Sequence, residues 1–319
     1  MTTACYFHPA CCEHDAGRAH SENALRLIEI IARLKSTDLD TLKWPSVLPA
    51  DRDDIALTHI SDYIDFVFDS VPTEGYREIE VNDIVSEHDA GEVTVLCPRS
   101  GDAILYAIGA VKGAVDDVMD GKITNAFCAV RPPGHHAEPN RAMGFCVFNN
   151  VAIGARYAQR NYKVGRVAIV DFDLHHGNGT QAIFEKDPSV FYCSVHQLPC
   201  WPETGHANET GVGNILNAPV PPGFSRHDWL KQWDEVILSR LEKESFDLLF
   251  ISAGFDAHRE DPKGEQSLET EDYFKLTTDL LNIAERKCGK RLIAVLEGGY
   301  DVNASASSAE AVVRALMQA

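Results

Sequence analysis

Asp171, Asp173 and His175 alternate directly after an apolar run, in Asp171-Phe-Asp173-Leu-His175-His176-Gly-Asn-Gly. In an extended segment, alternating side chains share one side, so carboxylate and imidazole groups are offered to a common point. A carboxylate and an imidazole from this segment, joined by Asp256 of Ala-Gly-Phe-Asp256-Ala-His258, make three hard or borderline donors. Three protein ligands with a fourth position left for water is the pattern of a catalytic zinc site, not of a closed structural one. Turns and N-caps also use Asp and His, but three such residues crowded behind one buried run exceed what capping requires.

His135 and His136 follow a rigid Pro-Pro-Gly turn, so at least one of the pair is expected to face the attacking water as general base, with Asp171 free to orient an imidazole. Tyr300 follows Gly298 and Gly299. Glycines there permit close approach to a ligand, and a phenol so placed can donate to an oxyanion. Together these groups predict metal-assisted hydrolysis of a carbonyl compound, with no nucleophilic Ser or Cys needed. Neither a G-x-S-x-G elbow nor a Walker A loop is present, which removes support for a serine hydrolase or a nucleotide-binding protein.

The elements that must position these residues are legible as an alternation. Short apolar runs at Phe127 to Val130, Arg166 to Val170, Val190 to Val195, Asp247 to Ser252 and Arg291 to Leu296 predict strands. Amphipathic stretches at 20–36, 100–119, 146–160, 227–244, 270–287 and 304–318 predict helices. Continuous Val/Ile/Leu runs separated by helices imply strands buried on both faces, hence a three-layer α/β/α fold with a mainly parallel central sheet. Four of the runs end in polar clusters, and ligands bind such sheets at the carboxyl ends of strands, so the four clusters are expected to converge.

No repeat or linker interrupts the chain, so residues 1–319 are expected to form a single catalytic domain. The composition, 45 % hydrophobic and 24 % charged, is that of an ordinary globular protein, and no run is long enough to cross a bilayer. A net charge of −19 repels nucleic acid and acidic lipid, so neither is expected as a partner. The nine cysteines are odd in number and form no C-x-x-C pair. That usage fits a reduced, cytoplasmic setting, and the first residues lack the basic and apolar regions of a secretory signal. Cys11 and Cys12 with His8 and His14 match no standard zinc-knuckle spacing.

Six motifs carry a resemblance over most of the chain, from His20 to about Ala319. They are His20-Ser-Glu-Asn-Ala-Leu-Arg26-Leu, Arg131-Pro-Pro-Gly-His-His-Ala, Gly144-Phe145-Cys-Val-Phe-Asn149-Asn150, Asp171-Phe-Asp-Leu-His-His-Gly-Asn-Gly-Thr180, Ser252-Ala-Gly-Phe-Asp256 and Leu296-Glu-Gly-Gly-Tyr300. In these the sequence resembles the zinc-dependent histone deacetylase family of the arginase/deacetylase fold. Asn178 and the Leu-Glu-Gly-Gly-Tyr form resemble its class II and bacterial amidohydrolase branch. The resemblance implies Asp173, His175 and Asp256 as ligands of one Zn2+, and His136 as general base and acid. It implies His135 as electrostatic partner backed by Asp171, and Tyr300 as donor to the carbonyl oxygen. It also implies an acyl-lysine tunnel lined by Phe145 with Gly144 beside it and by Trp201, with Arg26 at an internal cavity behind the metal. A structural K+ is expected at Asp171, Asp173, His175, Ser194 and Val195.

Departures from relatives are informative. Gly177 and Ala257-His258 stand where two-manganese members carry further ligands, so a second catalytic metal is not expected. Ser21 and Ala24 replace prolines common in the first loop, and Tyr300 is retained where some relatives carry His. Lys263, in Asp261-Pro-Lys263-Gly, occupies a rim position where protein deacetylases usually carry Leu or Met and polyamine-selective relatives carry Glu. A lysine there should repel cationic polyamines, and Arg99 is a second candidate for a positive rim. The expected substrate is Nε-acetyl-lysine or a similar linear acyl amide, on a peptide, a protein or a small amine. Its rivals are an acetylpolyamine deacetylase and a non-catalytic acyl-lysine binding module, the latter opposed by the retention of every catalytic residue.

Overall fold

The five apolar runs form strands whose ends lie within two residues of the sequence expectation, and each is buried along its whole length. The computed structural model describes residues 2–17, 19–79 and 93–318. In chain order the strands are β1 (Thr3–Tyr6), β2 (Arg77–Glu78), β3 (Val95–Leu96), β4 (Asn125–Cys128), β5 (Val167–Asp171), β6 (Val190–Gln197), β7 (Ile215–Val220), β8 (Leu248–Ala253) and β9 (Leu292–Leu296). The helices are α1 (Leu25–Ser36), α2 (Arg52–Ile55), α3 (Ser61–Ser70), α4 (Ser100–Met119), α5 (Asn150–Tyr162), α6 (Asn178–Phe184), α7 (Arg226–Gln232), α8 (Ser239–Leu241), α9 (Thr270–Cys288) and α10 (Val302–Met317).

Seven strands pair in the order β1-β4-β9-β8-β5-β6-β7, every pair parallel. β2 and β3 form a separate antiparallel pair. Helices α1, α10 and α9 pack together as one layer, and α4 packs on α5 as the other. Both α10 and α4 touch β4, which sets the two layers on opposite faces of the sheet. Among the described residues no helix is long and apolar enough to cross a membrane.

Local chemistry sets the helix ends nearest the site. The Asn149 side chain accepts from the Ala152 N–H to start α5, and Asp301 accepts from Ala304 to start α10. Each N-cap satisfies a donor that the first turn leaves unpaired. Glu269 and Asp272 form a reciprocal capping box at α9.

Three sequence expectations need correction here, the first being the helix expected from 20, which begins only at Leu25 after the Ala24 cap. The stretch 227–244 is not one regular helix but α7, a π-helical turn at Trp233–Leu238, and α8. Trp229 and Trp233 are buried and stack at 6.1 Å, and Trp233 packs on Phe172 under β5. The wider turn accompanies these two indoles, which a regular amphipathic pattern does not reveal. The helix expected from 146 begins at Asn150, because residues before the Asn149 cap form the turn that carries Phe145.

Candidate metal centre and hydrolytic site

β4, β9, β8 and β5 are neighbours in the sheet, so the four polar clusters that follow them meet although they lie far apart in sequence. Asp171 is the last residue of β5. Beyond it the chain bends, and the extended segment expected through His175 is not formed. The Asp173 N–H donates to Asp171 Oδ1 at 3.1 Å and the His175 N–H to Asp173 Oδ1 at 2.9 Å. Each Asp thus takes the backbone two residues on, a turn that Asp stabilises at the cost of a strand.

These bends bring Asp173 and His175 to Asp256. His175 Nδ1 lies 2.9 Å from Asp256 Oδ2 and 3.3 Å from Asp173 Oδ1. Asp256 Oδ1 accepts from the Leu174 N–H at 2.7 Å, and Asp173 Oδ2 from the Gly298 N–H at 2.8 Å. Gly298 is required by this approach, because a Cβ there would fall 2.5 Å from Asp256 Oδ2 and 2.6 Å from Asp173 Oδ2. One donor atom from each of Asp173, His175 and Asp256 lies within 4.8 Å of the others, the sole such acidic, His or Cys cluster among the described residues. Cys11, Cys12, His8 and His14 form none: His8 stacks on Tyr106, and His14 Nδ1 meets Ser100 Oγ at 2.8 Å.

The electrostatics of this trio fit a cation. Burial, then the charge of Asp173, pushes the Asp256 carboxyl up to about 7. Burial alone would raise Asp173 as well, but the His135 and His175 imidazoles hold it well below the usual carboxylate range. Burial opposes charge on His175, yet hydrogen bonds to Asp173 and Asp256 hold its pKa well above the ordinary imidazole value. Two carboxylate oxygens and one imidazole nitrogen, all buried, suit a divalent ion with an open coordination position.

The tandem histidines stand beside the trio in unlike states. His135 Nδ1 lies 3.1 Å from Asp171 Oδ2, which also accepts from the Tyr192 hydroxyl at 3.0 Å. Burial would lower the His135 imidazole, but Asp173 and Asp171 outweigh it and push it up to about 10. His136 is pulled well below the ordinary value, by burial and then by the charge of His135. Its Nδ1 lies 2.8 Å from Asn178 Oδ1, and the two rings are 3.9 Å apart between centroids. Glu297 clamps the turn that carries both, since Oε2 accepts from the Gly134 and His135 N–H groups at 2.7 and 3.1 Å.

Above the trio the walls are aromatic. The Trp201 ring meets His136 edge-on at 4.6 Å, and Phe145 meets Tyr300 at 5.9 Å. Gly144, at φ 55°, lets Trp201 and His136 close in, where a Cβ would sit 2.4 Å from the indole and 2.5 Å from the imidazole. Phe145 itself has φ 68°, an uncommon conformation for an aromatic residue. Tyr300 precedes the α10 cap, and its N–H donates to Asp261 Oδ2 at 2.6 Å. Packing around the hydroxyl, then the Asp256 charge, keeps the phenol pKa well above 10, so it is a donor. Lys263 Nζ stands 6.0 Å from the Phe145 centroid. Arg99 is drawn away to Glu13 at 2.5 Å and Asp102 at 2.8 Å, so the structure gives it surface ion pairs in place of the expected rim role.

Arg26 is fully buried beneath Tyr300, with its guanidinium 5.0 Å from the ring centroid. It donates to Gly299 O, to Glu297 O at 2.6 Å and to Glu22 Oε1 at 2.8 Å. Arg131 binds the same carboxylate through Nε and Nη2. Burial alone would raise the Glu22 carboxyl, but Arg131 and Arg26 hold it at about 2. Sequence reasoning singled out neither Glu22 nor Asp261 nor Glu297 for these roles. The one available signal was the Glu22–Arg26 spacing of four on a helical pattern. Ser194 pairs in register with Asp171 across β5 and β6, and its hydroxyl meets His196 Nδ1 at 2.8 Å.

The sequence pattern of the histone deacetylase domain matches residues 20–316. The chain is 35 % identical over 318 residues to histone deacetylase 10, chloroplastic, of Oryza sativa subsp. japonica, covering 94 % of this chain and 70 % of that protein. It is 32 % identical over 291 residues to the histone deacetylase-like amidohydrolase of Pseudomonas aeruginosa, covering 89 % and 73 % respectively. The crystal structure of the HDA15 HD domain superposes with a TM-score of 0.90 at 32 % identity, covering 99 % of this chain and 90 % of that one.

Proposed function

The chain belongs to the histone deacetylase family, and from that premise we propose that it is a zinc-dependent deacetylase, one catalytic domain that hydrolyses Nε-acetyl-lysine or a similar linear acyl amide to an amine and acetate. The observation that carries the reading is the placing of His136, its Nδ1 2.8 Å from Asn178 Oδ1 and its ring against both Trp201 and His175 of the Asp173, His175 and Asp256 trio. When bound by that trio, the ion supplies Lewis acidity that polarises the amide carbonyl and acidifies water. A structural K+ is assigned to Asp171, Asp173, His175, Ser194 and Val195, and the Asp171–Ser194 register supports it by setting two of these backbones side by side.

The remaining chemistry belongs to side chains. Asn178 Oδ1 can only accept a hydrogen bond, so His136 carries its hydrogen on Nδ1 and leaves Nε2 free to take a proton from water and return it to the departing amine. His135, held by Asp171, keeps positive charge beside the His136 ring and favours the neutral form of His136 between turnovers. The Tyr300 hydroxyl donates to the oxygen that gains charge as the carbonyl becomes tetrahedral. Phe145 and Trp201 flank the acyl-lysine stem and exclude water. Lys263 at the rim favours neutral or acidic surroundings and disfavours acetylated polyamines.

Acetate release by zinc-loaded protein tests this, on a panel of an acetyl-lysine peptide, an acetylated polyamine and longer acyl-lysines. The peptide should be cleaved, and Tyr300→Phe should lose about a hundredfold or more in kcat. Equal or faster cleavage of the polyamine would refute the role of Lys263, and no cleavage of any member by protein that holds zinc would refute the substrate class.

A further inference from the structure

We propose that Glu138 is a positioning residue that fixes the proton of His136 on Nδ1 by holding the Asn178 amide in one of its two orientations. The inference rests on the reading of His136 as the proton carrier and adds the group that makes it one. A primary amide presents an oxygen on one side and an NH2 on the other. With oxygen toward His136, Nδ1 must donate and Nε2 is free to accept. With the amide turned over, the NH2 would donate to Nδ1, and a neutral ring would then carry its proton on Nε2, where it cannot act as a base.

The surroundings of Asn178 select the first orientation. Its Nδ2 lies 2.9 Å from Glu138 Oε1, 3.3 Å from His136 O and 3.3 Å from Met143 Sδ. All three are acceptors, and Glu138 is the nearest and the charged one. Turned over, the amide oxygen would face that carboxylate in a buried setting where an unpaired polar contact is costly. Glu138 is itself held from two sides. Arg141 grips both carboxylate oxygens at 2.9 Å, a planar fork on a planar acceptor. His59 Nδ1 donates to Glu138 O at 3.0 Å, while His59 Nε2 accepts from the Asn149 N–H at 2.9 Å. The next carbonyl, Pro139 O, accepts from the Ile60 N–H at 2.9 Å. A chain of directed bonds therefore runs from Arg141 at the surface through Glu138 and Asn178 to His136.

Two readouts on zinc-loaded protein test the proposal: kcat with KM on an acetyl-lysine peptide, and the His136 tautomer from two-bond proton–nitrogen NMR correlations. The original protein should show the Nδ1–H form. Glu138→Ala should mix the tautomers and lower kcat about tenfold with little change in KM. Glu138→Lys, which offers a donor where an acceptor stood, should favour the Nε2–H form and lower kcat further. Glu138→Gln keeps an acceptor and should rescue most of the rate. In an Asn178→Asp background no amide can turn, so adding Glu138→Ala should cost nothing more. An unchanged tautomer and kcat in Glu138→Ala would overturn the proposal, as would an equal further loss in the Asn178→Asp background. Full activity of His136→Ala would instead overturn the underlying reading, whatever the Glu138 variants do.

Discussion

Two buried clusters of charge lie on either side of the loop that carries Tyr300, and they are built on opposite terms. Glu22, Arg26 and Arg131 close on themselves: two guanidiniums share one carboxylate, and Glu22 is held at about 2. Asp173, Asp256 and His175 do not close: the second carboxylate is pushed up to about 7 by burial and then by the charge of the first beside it. A satisfied cluster fixes structure, whereas two carboxylates that share one imidazole can hold a cation. Burial alone does not distinguish them; the balance of charge does.

The difference can be broken from either side. Glu22→Ala would leave two guanidiniums buried without their carboxylate, and should cost about 3–5 kcal/mol in urea unfolding of chelated protein. That is a large share of a typical total of about 5–15 kcal/mol. Asp256→Asn should do the reverse. In chelated protein it relieves repulsion and leaves the urea midpoint unchanged or raised, while acetate release falls roughly a thousandfold, about 4 kcal/mol of transition-state stabilisation. A clear loss of chelated stability in Asp256→Asn would refute the contrast.

Acid sharpens it. His14, beside Glu22, is depressed by burial and then by Arg131 to about 4, and His59 by burial to about 3. Both are neutral when folded but protonate near 6.5 when unfolded, so the stability they confer is present above about pH 6.5 and is lost as pH falls toward 4. Each corresponds to on the order of 3 kcal/mol at the acid end. Glu22 extends the decline from its unfolded value near 4.5 down to about 2. Urea midpoints from pH 7.5 to 4 should therefore fall steadily, and His59→Gln should flatten part of the slope; an unaltered slope would show that His59 is not neutral when folded. Smallest in effect, zinc at about a hundredfold over its dissociation constant should add about 2.7 kcal/mol to the protein with the intact trio and nothing to Asp256→Asn.

The apolar runs disclosed the central strands because those strands are buried on both faces, so their side chains repeat without alternation. β1 and β7 were not read from the sequence. They are the two edges of the sheet, and β7 carries Asn217 and Pro219, which a central strand rarely tolerates. The convergence of the site was legible for the same reason, since each strand end delivered its own polar cluster. What sequence could not disclose was direction. Nothing in Asp171-Phe-Asp173-Leu-His175 tells that the carboxylates bend the chain, or that His175 presents Nδ1 to its neighbours. Partners such as Glu22 with Arg131 or Glu138 with Asn178 join segments more than thirty residues apart, and only the topology pairs them.

The strand order has a consequence for synthesis. β9 lies between β4 and β8, although it is the last strand in the described chain. Until residues 292–296 have left the ribosome, the half of the sheet carrying His135 and His136 has no strand through which to join the half carrying Asp173, His175 and Asp256. The trio itself follows β5 and β8, which pair directly, so it can assemble first, but His135 and His136 cannot be brought beside it until β9 is in place. Completion of the sheet is what joins the histidine pair to the trio.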